Sequence, residues 1–186
     1  MEVPIWVGSQ TVFKSLDRGT QRRERRSKIV ADAQCSRAPM RGPLGLPEDG
    51  PVEWGIAFTA EEKARTATFF EELRAHAAGR PVVGVVLATA NAAKDLPIET
   101  SAALCAALED EGLQPLLVGG PSDREAAAAA AVMARCTRTR SGLGDSVRAM
   151  MGQVQGVDLL VSPDTGPLHL AHAMGTPVVG LFGHTN

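Results

Sequence analysis

Between residues 82 and 182 the chain alternates short apolar runs with helix-length segments, and this alternation constrains the fold more than any other feature. Val82-Val83-Gly84-Val85-Val86-Leu87-Ala88 and Pro115-Leu116-Leu117-Val118 have strand length but no polar–apolar alternation. Such runs suit strands covered on both faces. Residues 158–162 and 177–182 read the same way. Helices are expected between them over 98–111 (stopped by Gly112), from Pro121 or Ser122 through the alanine run 126–131, over 145–155 and over 167–174. An earlier helix opens at Thr59, where Glu62 three residues on completes a capping-box pattern. Phe69, Phe70 and Leu73 give it an apolar face, and Gly79 ends it. Strand–helix–strand units of this kind demand right-handed crossovers and a parallel sheet, so the expected fold class is α/β.

Upstream the character changes. Residues 14–41 carry nine basic side chains against three acids, and residues 42–72 carry seven acids against two bases. Pro39-Met40-Arg41-Gly42-Pro43-Leu44-Gly45-Leu46-Pro47 between them can sustain neither helix nor central strand. Only residues 20–33 suggest a helix, a polar one without the apolar face that an interfacial helix needs. Residues 1–58 therefore read as an irregular, basic joining segment and 59–186 as the folded domain. Over the whole chain the net charge is −2, which argues against a nucleic-acid partner held by electrostatics. No stretch approaches the roughly 20 apolar residues that span a bilayer. The N-terminus lacks the charged and apolar regions of a signal peptide. Cys35, Cys105 and Cys136 are widely spaced and form no CxxC, so neither a disulfide framework nor a zinc site is expected, and a reducing cytoplasm is the default compartment.

Ligands of open parallel sheets lie beyond the carboxyl ends of the strands, where helix N-termini converge. The most informative such place is Ser162-Pro163-Asp164-Thr165-Gly166-Pro167-Leu168-His169-Leu170-Ala171. Asp164 or Thr165 can be the N-cap, Pro167 suits the first turn, and Gly166 lets a ligand approach the backbone. Amides at this helix start can cradle phosphate oxygens, with His169 one turn on. Asp164 would repel a phosphate and makes more sense against a sugar hydroxyl. The same residues also make a good helix start with a packed histidine, and the sequence leaves both readings open. Lys94 in the loop from Thr89 to Pro97 is either a cation for a diphosphate or a solvated lysine. Gly119-Gly120 either lets a nucleoside come close or makes a tight turn. His184 and Thr185 follow the last strand in the same way, whereas His76 and His172 read as structural. No G-x-S-x-G elbow and no Cys–His pairing supports nucleophilic hydrolysis.

At these residues the chain resembles glycosyltransferase family 9, the lipopolysaccharide heptosyltransferases. The resemblance is carried by residues 162–171 and by Ala173-Met174-Gly175-Thr176-Pro177-Val178-Val179-Gly180-Leu181-Phe182-Gly183. The spacing of Lys94-Asp95-Leu96-Pro97, Gly119-Gly120-Pro121 and Ser141-Gly142 is also similar. It implies a GT-B fold of two Rossmann-like domains, with this chain supplying the C-terminal, donor-binding one. It further implies a nucleotide-sugar donor such as ADP-heptose, no metal for binding, a lipopolysaccharide core or lipid-linked acceptor, and a cytoplasmic enzyme or one peripheral on the inner membrane. By resemblance, Thr89 and Lys94 touch the donor diphosphate, Asp164, Thr165, Gly166, Pro167 and His169 hold diphosphate and sugar, and Gly119 and Gly120 lie near the nucleoside. Two departures stand out. Lys94 is followed by Asp95-Leu96 where the family more commonly has a basic–aromatic pair. Residues 1–60 carry no counterpart of the glycine-rich turn and acidic acceptor base that open the family's first domain. The chain is thus expected to be a fragment, its domain cut short at the C-terminus and the catalytic base elsewhere. A non-catalytic nucleotide-binding or interaction module is the alternative expectation.

Overall fold

The computed structural model describes residues 4–7, 10–13, 54–89, 92 and 95–182. The chain divides into two units, 1–55 and 56–186. In the first, Pro4–Val7 (β1) and Gln10–Phe13 (β2) pair antiparallel, with Val7 opposite Gln10. No strand was expected there, and this hairpin is a regular element within a segment read as partly irregular. Four residues per strand are too few for alternation to stand out from composition. The expected polar helix over 20–33, the basic stretch 14–41, the Pro/Gly segment 39–47 and Cys35 lie outside the described residues.

The second unit begins with α1 (Ala60–Ala77), capped as its sequence requires. Thr59 Oγ1 accepts from the Glu62 amide at 3.2 Å, and Glu62 Oε2 accepts from the Thr59 amide at 2.8 Å. The chain turns left-handed at Ala78 (φ 51°), one residue before Gly79 (φ 79°). There follow β3 (Val82–Val86), α2 (Ile98–Asp110), β4 (Gln114–Val118), α3 (Asp123–Met133), β5 (Arg140–Ser141), α4 (Val147–Gly156), β6 (Leu159–Pro163), α5 (Gly166–Met174) and β7 (Val178–Leu181). Elements named from the sequence recur with ends shifted by a residue or two. Only the two-residue β5 has no counterpart among them.

Five strands of this unit are parallel and lie in the order β7-β6-β3-β4-β5. Successive side chains of a strand point to opposite faces, and the core divides accordingly. Val82, Val86, Leu116, Val118 and Leu160 pack with Phe70, Leu73, Val154 and Ala171 of α1, α4 and α5. Val85, Leu87 and Leu117 pack on the other face with Ala102, Cys105, Ala129 and Val132 of α2 and α3. Close contact of α1 with α4 needs glycine, since a Cβ on Gly156 would fall 2.1 Å from Phe70 Cε2. The alanine run of α3 is mostly exposed or half-buried. Only Ala129 of residues 126–131 is fully buried, so the run serves mainly as strong helix former.

Sheet order decides where a ligand can sit. From β3 the chain steps outward through β4 to β5, returns to β6 on the other side of β3, and steps outward again to β7. The direction of winding reverses between β3 and β6, and at such a reversal the carboxyl ends of the two strands are where a ligand crevice is expected.

Candidate functional site

The β6 side of this crevice is built from the run around Asp164. Ser162 is fully buried and donates to the Pro163 carbonyl at 2.8 Å. Asp164 and Thr165 then turn the chain into α5. Thr165 is the N-cap (φ −155°, ψ 172°), Pro167 occupies the first turn, and the Leu168 amide donates to the Thr165 carbonyl at 3.0 Å. The Thr165 side chain makes no capping hydrogen bond, and the first turn carries no acid. Each of α1 to α4 has a hydroxyl cap, a first-turn acid or both. The first turn of α5 therefore adds no carboxylate of its own to the positive end of the dipole, and Asp164 stands just before the N-cap. His169 Nε2 lies 3.7 Å from Asp164 Oδ1, and its side chain is 72% exposed. A Cβ on Gly166 would meet nothing within 4 Å. Among the described residues no contact asks for glycine there, in contrast to Gly119.

The β3 side is held by groups that sequence reading missed. The β3 ladder with β4 ends at Val86 opposite Val118, three residues before buried Thr89. The Thr89 amide donates to Asp95 Oδ1 at 2.6 Å. Arg124, in the first turn of α3, donates from Nη2 to the Thr89 carbonyl and from Nη1 to Asp95 Oδ2. Asp95, the residue that departs from the commoner family pattern, thus has a partner 29 positions away. A cation in the first turn of a helix was a legible signal, because the helix dipole disfavours it there. Lys94 lies outside the described residues, as do His184 and Thr185.

The turn after β4 is tied to the same helix start. Glu125 Oε1 accepts from the Gly120 amide at 2.9 Å, Glu125 Oε2 accepts from the Ser122 hydroxyl at 2.6 Å, and Ser122 Oγ caps α3 through the Glu125 amide at 3.2 Å. A Cβ on Gly119 would fall 2.7 Å from Glu125 Oε1 and 2.8 Å from Leu143 Cδ2. A side chain at Gly119 would thus have to push aside the ends of the Glu125 and Leu143 side chains. The structure brings Thr89, Gly119, Gly120, Asp164, Thr165, Gly166, Pro167 and His169 to one end of the sheet. His76 lies elsewhere, its Nε2 against Arg140 Nη2. Among the described residues no three of His, Cys, Asp and Glu converge as a metal site. Cys105 is a free thiol whose burial pushes its pKa up to about 12, and Cys136 is also free.

Comparison with known proteins places the chain among relatives of one family. Residues 17–186 match the sequence profile of glycosyltransferase family 9 (heptosyltransferase). The chain is 26% identical over 145 residues to the lipopolysaccharide core heptosyltransferase OpsX of Haemophilus influenzae, covering 77% of this chain and 40% of the relative. A family 9 glycosyltransferase structure from Veillonella parvula superposes with a TM-score of 0.66 at 21% identity, covering 78% of this chain and 42% of that one. The ADP-heptose lipopolysaccharide heptosyltransferase II of Escherichia coli superposes with a TM-score of 0.60 at 25% identity, covering 77% and 43%. The chain therefore spans about two fifths of the length of these relatives.

Proposed function

The chain belongs to glycosyltransferase family 9, and we propose that residues 59–186 bind the nucleotide-sugar donor of a heptosyltransferase-like reaction. The observation that carries this reading is the start of α5. It stands at the reversal point of a parallel sheet with neither a side-chain cap nor an acid in its first turn. Departure of a nucleoside diphosphate from the anomeric carbon builds negative charge on the leaving phosphate. The α5 N-terminus and Lys94 stabilise that charge, and His169 adds a donor when protonated. Gly166 lets the phosphate oxygens reach the backbone. Asp164, a carboxylate, faces a sugar hydroxyl instead of the phosphates. Thr89 contacts the diphosphate from the β3 side, and the Gly119-Gly120 turn borders the nucleoside.

ADP-heptose is the proposed donor, supported by the name of the Escherichia coli relative. A lipopolysaccharide core or lipid-linked sugar is the proposed acceptor, supported by the Haemophilus relative. The base that activates the acceptor is assigned to a domain preceding this one. Work on such an acceptor would place the protein on the cytoplasmic face of the inner membrane, and no described helix is long and apolar enough to cross it. Calorimetric titration with ADP and ADP-heptose tests the reading. Saturable binding of both is expected, weakened by Lys94→Ala and by His169→Ala. A titration without heat or thermal shift would refute it.

A further inference from the structure

We infer that Arg124 is a positioning residue for this site: with Asp95 it fixes the backbone of Thr89 at the carboxyl end of β3, against which a donor diphosphate packs. The inference rests on the donor reading above. Its basis is a closed ring of contacts. The Thr89 amide donates to Asp95, Asp95 pairs with Arg124, and Arg124 donates back to the Thr89 carbonyl. One residue is thus gripped through both of its backbone polar groups, three residues beyond the last rung of the ladder with β4.

Charge explains why this grip exceeds ordinary loop closure. A buried amide and carbonyl need partners, but neutral side chains or water satisfy most such groups. Here both partners are ionised, and the guanidinium fork engages a carboxylate and a carbonyl together, which fixes direction as well as distance. Arg124 also occupies a poor place for a cation, the first turn of α3. Departures of this kind from a local rule tend to mark sites where geometry matters.

The same helical turn reaches both loops. Arg124 holds Thr89 and Asp95 after β3, while its neighbour Glu125 holds Gly120 and Ser122 after β4. The first turn of α3 therefore sets the spacing between the segment assigned to the diphosphate and the turn assigned to the nucleoside. Asp95 and Arg124 cancel one another's charge, so their contribution is geometric and should be felt most by a ligand that reaches β3.

The test compares ADP with adenosine on the full 186-residue chain, unsubstituted and as Arg124→Ala, Arg124→Lys and Asp95→Asn. Arg124→Ala is expected to weaken ADP about tenfold while adenosine changes less than about twofold and Tm moves by less than about 3 °C. Amide exchange over residues 87–89 should accelerate, with exchange in β6 unchanged. Lysine keeps the charge but not the fork and should recover only part of the loss. Asp95→Asn, nearly isosteric, reads the same effect should the alanine variant fail to fold.

Unchanged ADP affinity in both Arg124→Ala and Asp95→Asn overturns the inference. So does an equal loss for ADP and adenosine, or full recovery by lysine, which would assign the effect to charge alone. Unaltered exchange at 87–89 removes the clamp even where ADP binding falls. If the unsubstituted chain binds no ADP, the donor reading itself fails and the clamp's role fails with it. That result is distinct from an unsubstituted chain that binds while its variants bind equally well.

Discussion

The two ends of the parallel sheet use one device for opposite purposes. At the amino end, Arg74 of α1 pairs with Asp158 at 3.2 and 3.3 Å and donates to the Gly156 carbonyl at 3.1 Å. Asp158 accepts from the Val82 amide at 2.7 Å. At the carboxyl end, Arg124 and Asp95 grip Thr89 in the same manner. Strand β3 is thus pinned at both ends by an arginine, an aspartate and a backbone amide. Only one end has the character of a site. A groove of about 260 Å³ lined by Arg74, Gly79, Arg80, Pro81 and Asp158 opens at the amino end, but the chain itself engages its charged groups. Helices run against the strands they connect, so helix C-termini gather at the amino end and N-termini at the carboxyl end. An anion is repelled by the first set of dipoles and attracted by the second. Direction of the chain, more than the presence of a clamp or a groove, is the ground for placing the proposed site at the carboxyl end.

Variants at the amino end should therefore cost stability without touching ligand binding. The largest effect is expected at Glu109, whose carboxylate accepts from the amides of Thr137, Arg138 and Thr139 and from both threonine hydroxyls at 2.7–3.2 Å. Burial opposes its ionisation, but the donors of Thr139, Arg138 and Thr137 prevail and hold its pKa at about 2, below the usual 4.5. Glu109→Ala leaves several donors without a partner and should cost about 3 kcal/mol in urea unfolding. The lowered pKa also sets a pH dependence. The carboxylate contributes fully above pH 4.5 and loses its contribution as pH falls toward 2, so Glu109→Gln should flatten the decline in stability across that window. A decline of undiminished steepness would assign it to other groups. Asp158→Ala should cost about 2 kcal/mol through the buried Val82 amide, with ADP affinity unchanged. Lost ADP binding in that variant would erase the distinction between the ends.

At the carboxyl end the pattern should invert. Gly166→Ala is expected to leave stability within about 0.5 kcal/mol, because the added Cβ meets no neighbour. ADP affinity should nevertheless fall about tenfold as that Cβ enters the path of the phosphates. Equal affinity for ADP would mean that no ligand approaches this backbone. The smallest effect is expected for His169→Ala. Its ring is largely exposed, so stability should hold while ADP affinity, read by calorimetric titration, weakens about threefold.

Much of this architecture was legible because it is local. The Thr59–Glu62 capping box, the buried runs of β3 and β4 and the Pro167 helix start are each set by residues within a few positions of one another. Partnerships across the chain were not. Arg148 joins Glu62 at 2.6–2.7 Å, donates to the Ala57 carbonyl and lies 4.9 Å from the Phe58 ring, 86 positions or more away. Its hydrogen bond, with that of the Thr59 backbone, holds the Glu62 carboxyl down at about 2. Strand β5 escaped notice for a related reason. Two residues have no periodicity, and they extend the sheet because β4 offers an edge and Glu109 fixes the three residues before them. The site divides in the same way. Residues 164–169 were evident as a strand-to-helix turn, whereas Asp95 and Arg124 gain meaning only when the fold brings them together.

By itself, then, the order of residues determined the alternation of buried strands and capped helices, and with it a parallel sheet whose helix N-termini gather at the carboxyl end. Those properties depend on periodicity, local capping and chain direction, all of which operate over one or two elements. Tertiary structure decided which strand lies beside which, and so placed the reversal between β3 and β6. It also decided which glycine answers to packing and which does not, and which arginine meets which aspartate. Such pairings depend on distances between segments far apart in the chain, and these are set only when the whole sheet has assembled.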